Sequence, residues 1–317
     1  MDFRMLGPLR IRSGNTYQAI SSHRHRKMLA ALLVDANTPV STGRLIDVLW
    51  GVRPPTTARQ QVQNCVGSLR TVLRKAGHQA VLDRRGESYV LEIADDLVDG
   101  LTFCRLHRKA ENHVARSELT EAGELLRSAL ALWHGQALED IGSDALVADA
   151  TRLEELRIRA MEALVELEFA RGNQTDIIAD LSVWVQLYPY HEGLHCRLAE
   201  ALHEASRTAD ALNVIRPLKT RLDVELGINA GPSVRSMERK LLGLTDIPYH
   251  AVPTPAKATG AGRDGVPYGA SGGVSRLDAA LISTITTALE DLSTAVHRLV
   301  GDGRVDLAGG TEHPGDR

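Results

Sequence analysis

The segment between Thr56 and Gln79 is rich in arginine and amide side chains and contains no aspartate or glutamate. Its apolar residues recur at helical spacing, which predicts one buried stripe and one outward face. Amide groups can pair with adenine, and guanidinium groups with guanine, in the major groove of DNA. A solvated helix face is the alternative, but such a face usually mixes both signs of charge. We therefore predict that this helix contacts DNA through its outward residues, which are Arg59, Gln60, Gln63, Asn64, Gly67, Ser68, Arg70, Thr71 and Arg74.

Phosphate contacts are expected on both sides of this helix, because they fix a protein's position on DNA without reading its sequence. The candidates are Thr42 and Arg44 on a preceding helix, and Arg84 and Arg85 at the tip of a following hairpin. A basic cluster earlier in the chain has two possible interpretations. It either contacts a partner, which would be DNA phosphate or RNA polymerase, or forms the solvated first turn of a helix. It consists of Arg24, Arg26 and Lys27.

The charges of the chain are unevenly divided. Residues 1–93 carry 14 Lys and Arg against 6 Asp and Glu, a net charge of +8, whereas the rest of the chain carries −11. A basic part followed by an acidic part is expected when one part of a protein binds a polyanion. Chance variation between small domains is the alternative explanation.

The sequence also contains one metal-binding pattern, His191-Glu192-Gly193-Leu194-His195, which spells the HExxH motif of zinc peptidases. The extended form of that motif requires a glycine and a third histidine, but Leu198 and Ala201 stand at those positions. We interpret the segment as the start of a repeat helix and predict no metal site, no cofactor and no catalytic residue. The phosphate-binding motif GxxxxGK[ST] is absent from the sequence. The strings GxGxxG and GxSxG occur only within the glycine-rich residues 260–273, which lie in the predicted linker without a flanking strand, so we expect neither a phosphate-binding loop nor a nucleophile there.

Composition predicts a cytoplasmic protein with no membrane contact. The longest apolar run, from Met28 to Val34, is too short to span a bilayer, and the first ten residues lack the apolar core of a signal peptide. Three widely spaced cysteines give neither a disulfide framework nor a CxxC site.

Turn signals and periodicity divide residues 1–93 into short strands, three helices and a closing hairpin. Ser41 is placed to cap the second helix, Gly77 to end the third, and Arg85-Gly86-Glu87 to form the hairpin turn. Trp50 and Tyr89 are interpreted as core residues. This order of elements predicts a winged helix-turn-helix of the α+β class.

From Asp99 to Leu244 the pattern is helical. The similar stretches 170–177 and 204–211 place Asp176 and Asp210 thirty-four residues apart, which is the period of tetratricopeptide helix pairs. A third similar stretch, 115–122, is separated from them by residues 134–148, which we interpret as an insertion between repeats. The fold prediction is therefore mainly α, a winged helix-turn-helix followed by an all-α tetratricopeptide-like repeat domain.

The last part of the chain has a different composition. Residues 245–276 are predicted to be a flexible linker, because 14 of the 26 residues from 251 onwards are Ala, Gly or Pro. Residues 277–300 have the apolar periodicity of an amphipathic helix, and residues 301–317 are predicted to be disordered.

Several motifs of residues 1–244 resemble one family. They are FRMLGPLRI (3–11), RLIDVLWG (44–51) with RPPTTARQQVQ (53–63), VGSLRTVLR (66–74), LEDIG (138–142) and ATRLEELRIRAMEAL (150–164). The first 93 residues resemble the OmpR-type winged helix, and residues 1–244 are similar to the Streptomyces antibiotic regulatory protein family, whose helical part is a bacterial transcriptional activator domain. The chain departs from the family pattern at Ser68, where a basic residue is usual, and at Cys65, where histidine is common.

The resemblance implies a transcriptional activator specific to an antibiotic pathway. Such a protein would bind direct repeats in double-stranded DNA near promoters, self-associate on that DNA and recruit RNA polymerase holoenzyme at the nucleoid. Two other classes stay open at this point. One is a zinc peptidase, which zinc content would reveal, and the other is a helical scaffold for protein partners, which would lack salt-sensitive DNA binding.

Overall fold

The computed structural model describes residues 1–78 and 80–244 of the chain. The predicted linker 245–276, amphipathic helix 277–300 and tail 301–317 lie outside the described residues. Those described all fall within one compact unit. Among them, no helix is long and apolar enough to cross a membrane.

The chain begins with a small antiparallel sheet. Strands β1 (Phe3–Arg4), β2 (Arg10–Ser13) and β3 (Thr16–Gln18) pair in sequence order. Phe3 lies opposite Ile11, and both side chains are buried beneath the sheet. This arrangement confirms the short strands that the turn signals predicted at the start of the chain.

Three helices follow: α1 (His23–Val34), α2 (Thr42–Trp50) and α3 (Ala58–Lys75). As predicted, Ser41 caps α2, its hydroxyl oxygen accepting a hydrogen bond from the backbone N–H of Arg44 at 3.1 Å. The α2 helix ends at Gly51, whose φ of 61° lies in the region that favours glycine. The predicted apolar stripe of α3 is buried; it comprises Val62, Cys65, Val66, Leu69 and Leu73.

A second antiparallel sheet contains β4 (Val40–Ser41), β5 (Val81–Arg85) and β6 (Ser88–Glu92) in the order β4-β6-β5. Arg85 pairs with Ser88, so Gly86 and Glu87 form a two-residue turn at the hairpin tip. Since β4 directly precedes α2, its pairing with β6 places the start of α2 beside this hairpin. The hairpin is the wing of a winged helix-turn-helix, which confirms the predicted class.

Helices make up the remainder of the described chain, after a short 3-10 helix at Asp95–Leu97. Antiparallel neighbours pack against one another around a continuous apolar core. A second 3-10 helix, Asp144–Leu146, lies in the irregular segment that was predicted as an insertion. The seven α-helices are α4 (Asp99–Ala115), α5 (Leu119–Leu130), α6 (Val147–Ala170), α7 (Ile178–Leu187), α8 (Glu192–Glu204), α9 (Thr208–Leu226) and α10 (Pro232–Leu241).

The three similar stretches found in the sequence share one turn geometry. Ser117, Gly172 and Ser206 all have positive φ, between 60° and 76°. In each turn the next residue's N–H donates to the carbonyl five positions earlier, at 2.8–3.0 Å. This is the bond of a Schellman motif, which satisfies a carbonyl at the end of a helix. The shared geometry supports the predicted helical repeat.

The winged helix meets the helical part at a contact that we call the junction. It is formed by residues 3–10, Arg26, Arg44 and Val48 on one side and by Asp99 and residues 134–149 on the other. The buried Asp99 carboxylate accepts hydrogen bonds from the backbone N–H groups of Met5, at 2.8 and 3.0 Å, and Leu6, at 3.2 Å. The N–H of His134 in turn donates to the Leu6 carbonyl at 2.8 Å. The first sheet is thus bound through its backbone to the helical part.

A second carboxylate strengthens the junction. Asp140 accepts from the N–H of Leu9 at 2.8 Å and forms ion pairs with Arg10 and Arg26, both at 3.2 Å. Nearby, the Ser143 hydroxyl donates to the Val48 carbonyl of α2 at 2.9 Å. The segment predicted as an insertion therefore carries much of the contact with the winged helix.

Candidate nucleic-acid interface

The outward face of α3 is exposed along its whole length. All nine residues predicted to face outward lie at solvent-exposed positions. Two contacts order part of this face: the Gln60 amide donates to the Asn64 side-chain oxygen at 3.2 Å, and the Thr71 hydroxyl donates to the Gly67 carbonyl at 3.2 Å. The face therefore presents amide and hydroxyl groups that can exchange these weak contacts for base edges.

Arg70 differs from its neighbours on this face. Its Nε donates to the backbone carbonyl of Leu82 in β5 at 2.7 Å. That bond ties the C-terminal half of α3 to the wing, so Arg70 has a structural contact in addition to its predicted contact with DNA.

The wing tip is organised around Glu87, which was predicted to lie in the hairpin turn but not to form ion pairs. Its carboxylate pairs with Arg59 of α3 at 2.7 Å and with Arg84 of β5 at 3.6 Å. The Arg59 and Glu87 side chains are 75% and 69% exposed. Ion pairs as exposed as these contribute little net free energy, so a phosphate can replace the carboxylate at small cost.

Arg85 lies on the neighbouring position of the wing and pairs with Glu92 on the adjacent strand. Both side chains are largely exposed, at 60% and 44%. The two wing arginines that were predicted to contact phosphate are therefore close to carboxylates but open to solvent.

Thr42 and Arg44 occupy different environments. The Thr42 hydroxyl donates to the Glu87 carbonyl at 2.7 Å, which attaches the start of α2 to the wing tip. Arg44 points the other way: its Nε donates to Asp35 at 3.0 Å and its Nη2 to Asp149 of α6 at 2.9 Å. Although burial opposes the charge, these two carboxylates hold the pKa of Arg44 above its usual value. Arg44 is thus part of the junction, and its contact with phosphate stays a prediction.

The basic cluster of Arg24, Arg26 and Lys27 is also divided between the junction and the DNA-binding side of the winged helix. Arg26 belongs to the junction through Asp140, whereas Arg24 donates to the Gln61 side chain of α3 at 3.2 Å and lies 5.7 Å from the centre of the Trp50 ring. Tyr89 is buried in the core as predicted, while Trp50 is half-buried against it.

The HExxH segment has structural roles in the fold. The His191 ring caps α8 by accepting from the N–H of Leu194 at 3.2 Å, and Glu192 accepts from the N–H of Gly231 at 2.8 Å. His195 is buried, with its Nδ1 3.0 Å from the His191 carbonyl. Within residues 1–78 and 80–244 there is no group of three His, Cys, Asp or Glu side chains placed to hold a metal ion.

The junction carboxylates are the main feature that sequence reasoning missed. Asp140 lies in the motif LEDIG (138–142), which the analysis recognised only as a family signature. Asp149 lies 105 residues from its partner Arg44, and no local pattern connects such a pair. A signal for Asp140 existed, because a charged residue within an apolar motif often has a fixed partner.

Comparisons with known proteins agree with this architecture. The sequence model of the bacterial transcriptional activator domain matches residues 98–242. The chain is 33% identical to the transcriptional regulatory protein EmbR of Mycobacterium tuberculosis, covering 76% of this chain and 63% of that protein. Among solved structures, M. tuberculosis EmbR in complex with a low-affinity phosphopeptide matches with a TM-score of 0.65 and 31% identity, over 76% of this chain and 65% of the other. This chain thus spans somewhat less than two thirds of the length of EmbR.

This chain aligns with a larger share of two Streptomyces proteins than of EmbR. The transcriptional regulator RedD of Streptomyces coelicolor is 33% identical over 76% of this chain and 70% of its own length. The regulatory protein DnrI of Streptomyces peucetius is 30% identical over 76% of this chain and 92% of its own length. The match thus extends over both the winged helix and the helical part. The chain belongs to the Streptomyces antibiotic regulatory protein family of transcriptional regulators.

Proposed function

We propose that this protein is a sequence-specific activator that binds double-stranded DNA through α3 and the wing. The observation that carries the proposal is the exposed face of α3, whose side chains are basic, amide or hydroxyl groups, flanked by the arginines of the wing tip. In this arrangement α3 enters the major groove, and Gln63 and Asn64 contact base edges. Arg59, Arg84 and Arg85 contact phosphates on either side of the groove.

The finer parts of the proposal follow from family membership. The protein binds direct repeats near promoters of secondary-metabolite genes at the nucleoid, and neighbouring copies associate on the DNA. The helical part presents a surface that recruits RNA polymerase holoenzyme. The proposal requires no catalytic step and no cofactor.

Salt dependence of DNA binding tests the electrostatic part. The measurement is fluorescence anisotropy of the full chain with a labelled fragment of the promoter next to its own gene. If about 4–6 phosphates are neutralised per protomer, log K falls with log salt with a slope of about −4 to −5. A slope near zero would contradict DNA binding and favour the protein scaffold.

Two classes of variant test how the interface is divided. Gln63→Ala or Asn64→Ala removes a base contact and is expected to cost about 1–3 kcal/mol on the best site while relaxing its sequence preference. Arg85→Ala removes a phosphate contact and is expected to weaken all sequences about equally. Identical behaviour of the two classes would show that a different side of α3 faces the DNA.

A further inference from the structure

The helical part contains a cleft of about 930 Å³ that lies away from the proposed DNA-binding face. Its walls come from segment 133–139, from the first half of α6 and from the end of α7. Val147 and Leu187 give it an apolar side, and Trp133 and Tyr188 give it aromatic surface. A volume of this size and a mixed apolar and aromatic lining are typical of sites for small organic molecules.

Arg157 lines the cleft and is the residue that gives it a specific chemistry. Its side chain is only 10% exposed, and its guanidinium carbon lies 4.4 Å from the centre of the Trp133 ring. Its Nη1 donates to the Gly135 carbonyl at 3.2 Å. Its buried Nε, however, has no hydrogen-bond partner among residues 1–78 and 80–244.

Glu154 is the nearest carboxylate, but its oxygens already have other partners. One accepts from the N–H of Ala137 at 2.7 Å and the other from the Tyr188 hydroxyl at 2.8 Å. Arg157 is left with a long contact of 3.6 Å to this carboxylate. Burial, together with Glu154, raises the pKa of Tyr188, so its hydroxyl stays a donor to Glu154. The positive charge of Arg157 is therefore only partly compensated.

Trp133 supplies a second unsatisfied donor in the same place. The residue is 9% exposed, and its indole Nε1 likewise has no acceptor in the part of the chain that the structure describes. Leaving a buried N–H unpaired costs about 1–3 kcal/mol, so two such donors beside one cleft are unfavourable without an acceptor. Both nitrogens are closed to solvent, so an oxygen acceptor in the cleft would reach this stacked pair through the guanidinium of Arg157, whose side chain is 10% exposed.

We propose that this cleft binds a planar aromatic carboxylate, whose ring lies against the apolar and aromatic walls while its carboxylate pairs with the guanidinium of Arg157. A charge-assisted bond to arginine favours a carboxylate over a neutral oxygen. Glu139 lies at the exposed rim, where solvent screens its charge. The site goes beyond the proposed function, and its test uses no DNA.

The probe is 2-naphthoate, titrated into the full-length protein by isothermal calorimetry. We expect saturable binding of one molecule per chain with a Kd below about 1 mM. Naphthalene-2-methanol keeps the ring without the carboxylate and is expected to bind at least about tenfold more weakly. Acetate keeps the carboxylate without the ring and is expected not to compete. Equal competition by acetate would show a simple anion site and overturn the proposal.

Variants locate the binding site. Arg157→Gln is expected to weaken naphthoate binding at least about tenfold, whereas Arg159→Gln, an exposed arginine on the same helix, is the matched control and leaves binding unchanged.

A rim variant keeps the test valid if Arg157→Gln prevents folding. Val147 is 57% exposed, and Val147→Asp places a negative charge at the cleft without disturbing the core. It is expected to weaken naphthoate binding several-fold while leaving the thermal unfolding temperature unchanged. Absence of saturable binding to the wild-type protein, or binding that Val147→Asp and a folded Arg157→Gln variant leave unchanged, would overturn the proposal.

Discussion

Two carboxylates in this protein each hold a pair of arginines, but in contrasting surroundings. Glu87 at the wing tip joins Arg59 and Arg84, with side chains that are more than half exposed. Asp140 at the junction joins Arg10 and Arg26, with side chains that are 22–34% exposed, and also accepts a backbone N–H. The first group can exchange its partners for those of a ligand, whereas the second fixes two parts of the fold. Solvent exposure therefore separates exchangeable arginines from structural ones in a way that residue type does not.

The largest effect is expected from removing the junction carboxylate. Asp140→Ala leaves the Leu9 N–H and two partly buried guanidinium groups without their acceptor, so we expect the free energy of unfolding to fall by about 2–3 kcal/mol. Chemical denaturation of the full chain measures this. Glu87→Ala is the matched control, with an expected change within about 0.5 kcal/mol. An equal fall in the free energy of unfolding for the two variants would show that Asp140 is no more structural than Glu87.

The junction also predicts a dependence on pH through Asp99. Burial raises the pKa of its carboxyl from 3.8 to about 6, although three backbone N–H groups favour the charged form. Since the folded state binds this proton more tightly, the free energy of unfolding falls as pH rises from about 4 through 6.

The comparison variant is Asp99→Asn, which does not titrate. The difference in unfolding free energy between wild type and variant should shift by about 2 kcal/mol from pH 4 to pH 7, with the wild type losing relative stability. Urea unfolding at several pH values measures it. A constant difference would show that the N–H groups offset the cost of burial.

Variants of Arg44 and Arg59 compare a structural arginine with an exchangeable one within the same winged helix. Arg44→Gln breaks contacts with Asp35 and Asp149 and is expected to lower the free energy of unfolding by about 1–2 kcal/mol. Arg59→Gln is expected to leave stability unchanged and to weaken DNA binding about three- to tenfold. If Arg44→Gln instead weakens DNA binding at unchanged stability, its predicted phosphate contact is correct.

The smallest effect is expected for DNA affinity in Glu87→Ala. The carboxylate competes with phosphate for Arg59 and Arg84, so its removal should strengthen binding about two- to fivefold at low salt. Anisotropy titrations measure this affinity. The increase in affinity should become smaller as salt rises, because salt screens the attraction of the two arginines to the carboxylate and to phosphate alike. Weaker binding would indicate that Glu87 positions the two arginines for DNA.

Most features that depend on neighbouring residues could be predicted from the sequence. The Ser41 cap, the buried stripe of α3 and the hairpin turn at Gly86 follow from local chemistry and periodicity. The pairings of Glu87 with Arg59 and of Asp149 with Arg44 could not, because the partners are 28 and 105 residues apart. Periodicity therefore predicts which side chains face outward, but not which of them are already paired.

The junction is also tight where backbone meets backbone. A side chain at Gly7, whose φ is 149°, would lie 3.1 Å from the backbone nitrogen of Gly135, so only glycine fits where these two backbones pass each other. In the proposed complex with DNA, the hydrogen bonds of the junction would make the helical part follow the rotation of the winged helix around the DNA axis. If two copies occupy the proposed tandem sites, the spacing between those sites would set the angle between their helical parts. A shift of half a helical turn, about 17 Å along the DNA, would place them on opposite sides of the duplex. The relative orientation of two bound copies would thus depend on the spacing of their DNA sites.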